Sequence, residues 1–311
     1  MRKILIIDDL YPSISNQLLA IGFECDYLPG ISRAELFFLP DHYCGILVRS
    51  KTYIDNEVLE HFKNLKFIGR AGAGVDLIDL EEVKKRNIQL INAPEGNRDA
   101  LAEHALAILL GIMNFTTRSH IEIENLVWKR EANRGYELGK LTVGLVGYGF
   151  MGQAFAKRLK AMGCTILAYD KYKTNFSDDY VTESSMVDIF ENADVFTIHV
   201  PLNLETEYLI NDDFFNYFSK PIWFTNTSRG KVLDTSALYR AILNGKVLGA
   251  ALDVLENEKP STWTLEFKEM MRKLYTTNKF TITPHIGGWT FESHKKINDV
   301  LIDKIAQLKI Q

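Results

Sequence analysis

The sequence predicts an α/β protein with two doubly wound domains, each built around a parallel sheet. Nine short runs rich in Ile, Val and Leu are strand-like, and several are apolar without the polar alternation of half-exposed strands. Helical patterns lie between them, which predicts right-handed βαβ units. A length of 311 residues suits two domains of ordinary size.

The strand-like runs follow one another along the whole chain. In order they are KILIID, GILVRS, LKFIGRAG, TVGLVGYG, TILAYD, DVFTIHV, IWFTNTS, LGAALDV and FTITPHI. A long helix is predicted from about Arg98 to Thr116, and a shorter one from Thr235 to Leu243. A further helix is predicted for the tail from Thr290, because apolar residues recur there at helical spacing. These residues are Ile297, Leu301, Ile305 and Leu308.

No repeat or Pro/Gly/Ser-rich linker marks a domain boundary, so the boundary is inferred from the motifs. The helix near 98–116 and the tail helix are the best candidates to cross between domains. If the tail packs on the first part of the chain, the N-terminal domain is discontinuous. We therefore predict one domain of residues 1–97 with 288–311, and an inserted domain of residues 98–287.

Composition excludes several classes of protein. With 36 Lys+Arg against 40 Asp+Glu, the net charge of −4 gives no reason to expect a nucleic-acid or membrane partner. Cys25, Cys44 and Cys164 are widely spaced, which suits a reducing cytosol, and no clustered Cys/His spacing predicts a metal. The apolar run at Ile4–Ile7 is too short for a secretory signal, and Ala105–Met113 is far below the ~18 residues of a membrane span. We expect a cytoplasmic protein.

A glycine-rich turn lies between a predicted strand and a predicted helix. Its residues are Gly147, Tyr148, Gly149, Phe150, Met151 and Gly152. The first glycine permits a tight turn, the second a close approach of a pyrophosphate, and the third close packing of helix and strand. The helix N-terminus offers N–H groups to the phosphates. Asp170, 18 residues after Gly152, ends the next strand and would accept hydrogen bonds from ribose hydroxyls.

This arrangement predicts a dinucleotide site, with a structural turn beside a solvated acid as the alternative. NAD is favoured over NADP because the Asp170 carboxylate would repel a 2′-phosphate. Lys171 and Lys173 keep NADP open, since either could pair with that phosphate.

Seven motifs occur in order along the chain. They are GRAGAGVDLID (69–79), NAPEGNRDALAEH (92–104), GYGFMG…YD (147–170), HVPLNLET (199–206), NTSRG (226–230), GAALDVLENE (249–258) and TPHIGGW (283–289). Together they resemble the D-isomer-specific 2-hydroxyacid dehydrogenases over essentially the whole chain. The resemblance implies a Rossmann NAD-binding domain inserted into a flavodoxin-like substrate-binding domain. It also implies a homodimer formed through the cofactor domain.

Hydride transfer from a secondary alcohol needs a base for the hydroxyl proton and a cation for the substrate carboxylate. His285 is the best base, because histidine titrates closest to neutral pH, although it could merely cap a strand end. Arg229 follows a strand and could bind a carboxylate through two hydrogen bonds, or it is a surface arginine. Glu258 would pair with the imidazole and raise its pKa. The resemblance implies that these three residues are catalytic, and it selects Glu258 over Glu256.

The resemblance implies further cofactor contacts. Asp253 matches an acid that contacts the nicotinamide carboxamide, and Pro201 lies in a loop forming a wall of the cofactor site. His104, on an apolar helix, is expected to be structural. The remaining expected cofactor contacts are His199, Thr206, Thr227, Ser228, His285 and Gly287.

The substrate is expected to be a small anionic 2-hydroxy or 2-keto acid. Arg49, Lys51 and Arg70 gather positive charge at strand ends, in a pattern resembling D-3-phosphoglycerate dehydrogenases. The expected substrate contacts are Arg49, Ser50, Arg70, Ala71, Gly72, Ala73, Arg229 and His285.

The favoured reaction is therefore oxidation of D-3-phosphoglycerate to 3-phosphohydroxypyruvate, a step of serine biosynthesis. If the strand-end cations are merely solvated, an unphosphorylated acid such as glyoxylate, hydroxypyruvate or lactate is the alternative. A non-enzymatic, co-repressor-like NAD-binding module is the alternative from another class. Because the sequence ends at Gln311, the resemblance implies that the regulatory domain of longer phosphoglycerate dehydrogenases is missing.

Overall fold

A computed structural model describes residues 2–308, and the chain divides into two compact units. The first unit is Met1–Arg98 with Trp289–Gln311, and the second is Asp99–Gly288. The strands are β1 (Arg2–Ile6), β2 (Phe23–Tyr27), β3 (Tyr43–Val48), β4 (Phe67–Arg70), β5 (Gln89–Asn92), β6 (Thr142–Val146), β7 (Thr165–Tyr169), β8 (Thr182–Glu183), β9 (Val195–Ile198), β10 (Ile222–Asn226), β11 (Val247–Leu252) and β12 (Phe280–Ile282). The α-helices are α1 (Ile14–Ala20), α2 (Arg33–Leu36), α3 (Asn56–His61), α4 (Leu80–Lys85), α5 (Pro94–Met113), α6 (Thr116–Glu124), α7 (Phe150–Ala161), α8 (Met186–Asn192), α9 (Asp212–Asn216), α10 (Thr235–Leu243), α11 (Leu265–Thr276) and α12 (Phe291–Ala306).

The first unit contains a parallel five-stranded sheet in the order β2-β1-β3-β4-β5. This is the strand order of flavodoxin-like sheets, whose ligand crevice lies where the order reverses, between β1 and β3. Apolar side chains cover both faces of the sheet. On one face, Ile297, Leu301 and Ile305 of α12 are buried in the same cluster as Ile4 and Ile6 of β1.

The second unit contains a parallel seven-stranded sheet in the order β12-β11-β10-β9-β6-β7-β8. The chain begins in the centre, moves to one edge and then returns to build the other side. This is the Rossmann topology, with its switch point between β6 and β9. The predicted fold class, two doubly wound parallel-sheet domains, is therefore confirmed.

All nine strand-like runs form strands, but three further strands lack a matching run. These are β2, β5 and β8, and each lies at the edge of its sheet. An edge strand has a neighbour on one side only, so it is less buried and carries more polar residues than a central strand. The sequence FECDY of β2 shows this, with a single buried residue.

The helix predicted at 98–116 has different bounds in the structure. It begins at Pro94, whose ring suits the first turn of a helix, and it ends at Met113. Phe115 then adopts a left-handed conformation with φ of +53° and separates α5 from α6. Within the described part of the chain, no single helix is long and apolar enough to cross a membrane. The bent pair Pro94–Met113 and Thr116–Glu124 meets that length and composition only when taken together.

Candidate active site

The glycine-rich turn connects β6 to α7. Gly147 has a φ of +92°, and a Cβ there would lie 2.4 Å from the carbonyl oxygen of His199. A Cβ on Gly152 would lie 2.1 Å from the Gly147 carbonyl oxygen, so close packing of helix and turn requires glycine. At Gly149, by contrast, no described atom lies within 4 Å of the point that a Cβ would occupy, and the φ of −88° suits any residue. The fold does not need this glycine, whereas a pyrophosphate at the N-terminus of α7 would.

The three non-glycine residues of this turn, Tyr148, Phe150 and Met151, differ in their surroundings. The Tyr148 ring is buried, its hydroxyl donates to Asp178 over 2.7 Å, and it stacks on Phe176. Tyr148 can therefore contact a ligand only through its backbone. Phe150 and Met151 begin α7, and the Phe150 side chain is exposed.

Asp170 follows β7 and accepts a 2.9 Å hydrogen bond from the backbone N–H of Tyr148. The two neighbouring lysines are held by other acceptors. Lys171 pairs with Glu205 over 2.6 Å, and the Lys173 ammonium donates to the Tyr148 carbonyl oxygen over 2.6 Å. Because both lysines already have acceptors, the Asp170 carboxylate decides the preference, and this surface suits free ribose hydroxyls better than a 2′-phosphate.

A cavity of about 520 Å³ lies beside the turn, where β6, β7 and β9 end. Burial lowers the pKa of its His199 to about 4, so this imidazole is neutral at physiological pH. The Thr206 hydroxyl donates to the Pro201 carbonyl oxygen over 2.7 Å and fixes the loop after β9. The predicted residues lining the cavity are Gly147, Gly149, Asp170, His199, Pro201 and Thr206.

The loop after β10 is organised by Asn226. Its Oδ1 accepts hydrogen bonds from the Ser228 N–H and hydroxyl over 2.9 and 2.7 Å, and its Nδ2 donates to the Arg229 carbonyl oxygen over 3.0 Å. A Cβ on Gly230 would lie 1.8 Å from a carbonyl oxygen in the loop after β11, so the two loops are pressed together. Thr227 is buried, and its hydroxyl oxygen has no hydrogen-bond partner among the described residues.

His285 and Glu258 form a hydrogen-bonded pair. The Nδ1–H of His285 donates to both carboxylate oxygens of Glu258, at 3.0 and 2.9 Å. This bond raises the pKa of His285, outweighing burial and the positive charge of Arg229, which both lower it. The His285 backbone has a φ of +54°, and its N–H donates to the carbonyl oxygens of Asp253 and Thr283. The imidazole is therefore held as an acid or base with Nε2 on the side away from Glu258.

The structure also separates Glu258 from Glu256. Glu256 accepts a 2.7 Å hydrogen bond from the backbone N–H of Thr235 and a weaker one from the Tyr208 hydroxyl. It therefore supports the start of α10. A cavity of about 360 Å³ borders His285 and Glu258. Its apolar walls are Leu255, Pro260, Trp263, Tyr275, Ile282 and Pro284.

Asp253 is 1% exposed and binds the loop that carries His285. Its Oδ1 accepts from the Thr283 hydroxyl over 2.5 Å and from the Ile286 N–H over 3.0 Å, and its Oδ2 accepts from the Gly287 N–H over 2.6 Å. His104 Nε2 lies 3.2 Å from the same carboxylate. Burial alone would raise the pKa of Asp253, but these hydrogen bonds outweigh it and lower the pKa.

In the first unit, Arg49 and Ser50 follow β3, opposite the end of β1. The backbone N–H groups of both donate to the carboxylate of Asp8, which follows β1. The guanidinium carbon of Arg49 lies 3.7 Å from the centre of the Trp289 ring. Arg49 is thus held at the switch point of the first sheet.

Arg70 lies over the neighbouring glycine turn. Its Nη1 donates to the Ala71 carbonyl oxygen over 3.1 Å. Gly72 has a φ of +134°, and a Cβ there would lie 1.6 Å from that Nη1. The Ala73 carbonyl oxygen accepts a 2.7 Å hydrogen bond from Asn92. The positive φ favours glycine at this turn, and a larger residue would displace the Arg70 guanidinium.

Sequence reasoning assigned no role to Asn226, Thr283 or Trp289. Asn226 orders the Arg229 loop, Thr283 donates to Asp253, and Trp289 contacts Arg49. Each lies inside a motif quoted above, NTSRG or TPHIGGW. Asn226 ends β10 and Thr283 follows β12, whereas Trp289 lies just before α12. A polar residue at the carboxyl end of a parallel strand is a weak signal for the first two, and Trp289 has no such signal.

Comparison with known proteins identifies a family. The sequence model described as "D-isomer specific 2-hydroxyacid dehydrogenase, NAD binding domain" matches residues 106–287. A hydroxypyruvate reductase from Thermotoga maritima is 35% identical over 84% of this chain and 83% of its own length. A D-3-phosphoglycerate dehydrogenase from Archaeoglobus fulgidus is 34% identical over 98% of this chain, which spans only 57% of that protein.

Solved structures show the same architecture. The D-lactate dehydrogenase of Aquifex aeolicus, complexed with NAD and lactic acid, has a TM-score of 0.81 at 26% identity. The alignment covers 98% of this chain and 94% of that one. A glyoxylate reductase from Paecilomyes thermophila has a TM-score of 0.86 at 23% identity, with coverage of 98% and 94%.

Proposed function

The chain belongs to the D-isomer-specific 2-hydroxyacid dehydrogenase family, and we propose that it transfers a hydride between C2 of a D-2-hydroxy acid and nicotinamide. The observation that carries this proposal is the His285–Glu258 pair, with its raised pKa and the Arg229 charge acting on it. A base with a pKa near neutrality and a cation for a carboxylate are the two groups that the reaction requires.

Each residue of the pair has a distinct role in this mechanism. In the oxidation direction, Nε2 of His285 accepts the hydroxyl proton of the substrate, and in reduction it returns that proton to the carbonyl oxygen. Glu258 holds the Nδ1–H, which fixes the tautomer and stabilises the imidazolium. Arg229 binds the substrate carboxylate through its guanidinium. Asp253 is a positioning residue, because it binds the backbone on both sides of Ile286.

The cofactor of this family is NAD, and the second unit fits it. When bound, the dinucleotide supplies the hydride acceptor, or the hydride donor in its reduced form. Gly149 and the N-terminus of α7 would receive the pyrophosphate, and Asp170 the adenosine ribose. The buried hydroxyl of Thr227 and the wall formed by Pro201 are further candidate contacts. The other proposed cofactor contacts are His199, Thr206, Ser228, Asp253, His285 and Gly287.

For the substrate we favour D-3-phosphoglycerate. In the first unit Arg49 follows β3 and Arg70 is the last residue of β4. The guanidinium of Arg49, which lies against Trp289, can bind an oxyanion. The relative from A. fulgidus, named a D-3-phosphoglycerate dehydrogenase, supports this choice. The relative from T. maritima supports the second candidate, reduction of hydroxypyruvate.

The test compares kcat/KM for D-3-phosphoglycerate and D-glycerate, each with NAD and with NADP. Because a charged hydrogen bond contributes about 1.5–3 kcal/mol, we expect the phosphorylated acid to be favoured by at least about tenfold. Equal values, or a preference for D-glycerate, would favour the hydroxypyruvate reductase. Binding of NADH without turnover of any acid would support the non-enzymatic module. Faster turnover with NADP would contradict the assignment of Asp170.

We also propose that the chain forms a homodimer through the second unit. Support comes from apolar side chains exposed on α6 and the segment after it, among them Ile121, Leu126 and Trp128. Leu126 and Trp128 are 95% and 83% exposed, which is costly for residues of this size in a monomer. Light scattering should give twice the chain mass, and Leu126→Glu should shift the protein towards the monomer. A monomeric wild type would contradict this proposal.

A further inference from the structure

Arg49 differs from the other arginines proposed to act in binding or catalysis. Its side chain is half-buried, yet no hydrogen bond joins its guanidinium to any residue in the described part of the chain. Arg70 and Arg229, in contrast, each donate to a backbone carbonyl oxygen. A half-buried guanidinium carries five N–H donors that need acceptors. The donors of Arg49 are thus available to an oxyanion that is not part of the protein.

The backbone at Arg49 is held rigidly. It follows β3 where the order of the first sheet reverses, which is the place where open parallel sheets bind ligands. The N–H groups of Arg49 and Ser50 donate to the carboxylate of Asp8, so this carboxylate fixes the loop. Burial lowers the pKa of the Arg49 guanidinium, and the negative charges of Asp8 and Asp9 oppose that shift.

The side chain of Arg49 is held by an aromatic ring. The Trp289 ring centre lies 3.7 Å from the guanidinium carbon, a distance at which the guanidinium lies against the ring face. Such a contact occupies the flat face of the cation and leaves the N–H groups at its edge. Those N–H groups then match the paired oxygens of a phosphate or carboxylate.

Trp289 is itself fixed by the start of α12. The next residue, Thr290, forms a capping box with Ser293, and the Trp289 ring contacts the His294 ring at a centroid distance of 5.1 Å. Asn298, one turn further, is 2% exposed, and its Oδ1 has no hydrogen-bond partner among the described residues. Arg49, Trp289, His294 and Asn298 line one small cavity. These contacts fix the Trp289 ring beside Arg49, and the cavity, at about 10 Å³, has room for at most one water molecule.

We propose that Trp289 is a positioning residue that holds Arg49 as the receptor for the phosphate of the substrate. This inference rests on the proposed function, in which the favoured substrate carries a phosphate group. A phosphate monoester is the chemical class that it predicts.

The test uses 3-phosphohydroxypyruvate and hydroxypyruvate, which differ only in the phosphate. In Trp289→Leu we expect the KM of the phosphorylated acid to rise about 5- to 20-fold with kcat retained. The KM of hydroxypyruvate should not change, and Trp289→Phe should lie between wild type and Trp289→Leu. Phe291→Leu is the matched control, because this ring is 94% exposed at the start of the same helix. An equal rise for both acids, or no rise, would overturn the inference.

A double-mutant cycle tests whether Trp289 acts through Arg49. Arg49→Lys keeps the charge but loses the flat guanidinium, so Trp289→Leu should add little to it. If the double variant raises KM by the product of the two single-variant fold-changes, the two residues act independently and the proposed coupling is contradicted.

A third measurement does not depend on turnover. Inorganic phosphate should raise the Tm of the wild type, and this rise should disappear in Arg49→Lys and Trp289→Leu. If no 2-keto acid is reduced but this pattern holds, the proposed function fails and the phosphate receptor stands. If the phosphate effect is the same in all variants, the receptor fails whatever the enzyme reduces.

Discussion

The second unit contains two pairs of histidine and carboxylate with opposite surroundings. In the His285–Glu258 pair both side chains are 44% exposed, and the contact is 2.9 Å. In the His104–Asp253 pair the exposures are 19% and 1%, and the contact is 3.2 Å. The first pair can exchange protons with a substrate or solvent. The second is enclosed by Thr283 and the backbone of the loop that carries His285.

This difference indicates that a histidine beside a carboxylate can be suited to proton transfer or to holding a loop, depending on solvent access. The exposed carboxylate acts on one imidazole and raises its pKa. The buried carboxylate distributes its hydrogen bonds over the Thr283 hydroxyl, two backbone N–H groups and His104. Substitutions in the first pair should therefore change rates and pH profiles, whereas substitutions in the second should change stability.

The largest effect is expected from His285→Ala. Removing the group that transfers the proton should lower kcat about 10³-fold in both directions. NADH binding, followed by fluorescence, should be retained because the dinucleotide turn lies elsewhere in the unit. His42→Ala, at an exposed histidine in the first unit, is the control. A kcat within about twofold of wild type would remove His285 from its proposed role.

The second-largest effect, a loss of stability, is expected from Asp253→Asn. The amide places a donor where the carboxylate now accepts hydrogen bonds, and it removes a buried charge that His104 and Thr283 satisfy. We expect the free energy of unfolding to fall by about 3 kcal/mol, measured with urea. Glu258→Gln, measured in parallel, should lose less than about 1 kcal/mol because both partners are exposed. Equal losses would mean that the two pairs do not differ as described.

The carboxylates of Asp253 and Glu258 should also differ in how they affect stability at acidic pH. The pKa of Asp253 is lowered in the folded protein, so the unfolded chain binds a proton first as the pH falls. The stability from this group is complete above the ordinary aspartate pKa and is lost as the pH falls through the lowered value. Unfolding in urea at a series of acidic pH values should show this loss in the wild type and a smaller one in Asp253→Asn. The same slope in both proteins would contradict the assignment.

Glu258→Gln should move the pH profile of the reaction. Glu258 raises the pKa of His285, so the protonated imidazole needed for reduction persists to higher pH in the wild type. Without the charge, the fall in kcat/KM for reduction should occur at lower pH. The rise in kcat/KM for oxidation, which needs the neutral imidazole, should move to lower pH as well. Unmoved profiles would show that Glu258 does not tune His285.

The smallest effect is expected at His104. His104→Ala removes one donor from the buried cluster and should cost about 1–2 kcal/mol of stability. His104→Gln keeps an N–H donor of similar reach and should cost less. Both variants should retain the wild-type pH profile, because His104 does not contact His285. A shifted profile in His104→Ala would contradict the separation of the two pairs.

Much of the fold could be predicted from hydrophobic patterning. Central strands of a covered parallel sheet are often continuously apolar, and all nine strand-like runs, β12 at an edge among them, form strands. The missing strands β2, β5 and β8 are edge strands, where one-sided burial removes the pattern. The start of α5 at Pro94 was also missed. Gly96 lies in its first turn, where a Cβ would meet the Ile297 backbone at 2.5 Å, a contact between residues far apart in the sequence.

Those residues of the candidate site that lie in a local sequence motif could be predicted from the sequence. The glycine turn, Asp170 and His285 each follow a strand and could be selected from their spacing and residue type. Glu258 could be chosen over Glu256 only by resemblance. Its contact with His285 joins two loops 27 residues apart. Thr283, which donates to Asp253, and Asn226, which orders the Arg229 loop, lie at strand ends. That position is only a weak signal, because threonine and asparagine are common there.

The sequence by itself determined the two doubly wound sheets, the dinucleotide turn and the kinds of residue available for proton transfer and anion binding. Their physical basis is local, since periodicity, glycine conformation and residue chemistry act within a few positions. Only the tertiary structure decided which carboxylate is exposed beside a histidine, which is buried beneath a loop, and which tryptophan lies against Arg49. Those outcomes depend on solvent access and on contacts between segments far apart in the sequence. Both are fixed only when the chain folds and buries some side chains while leaving others exposed.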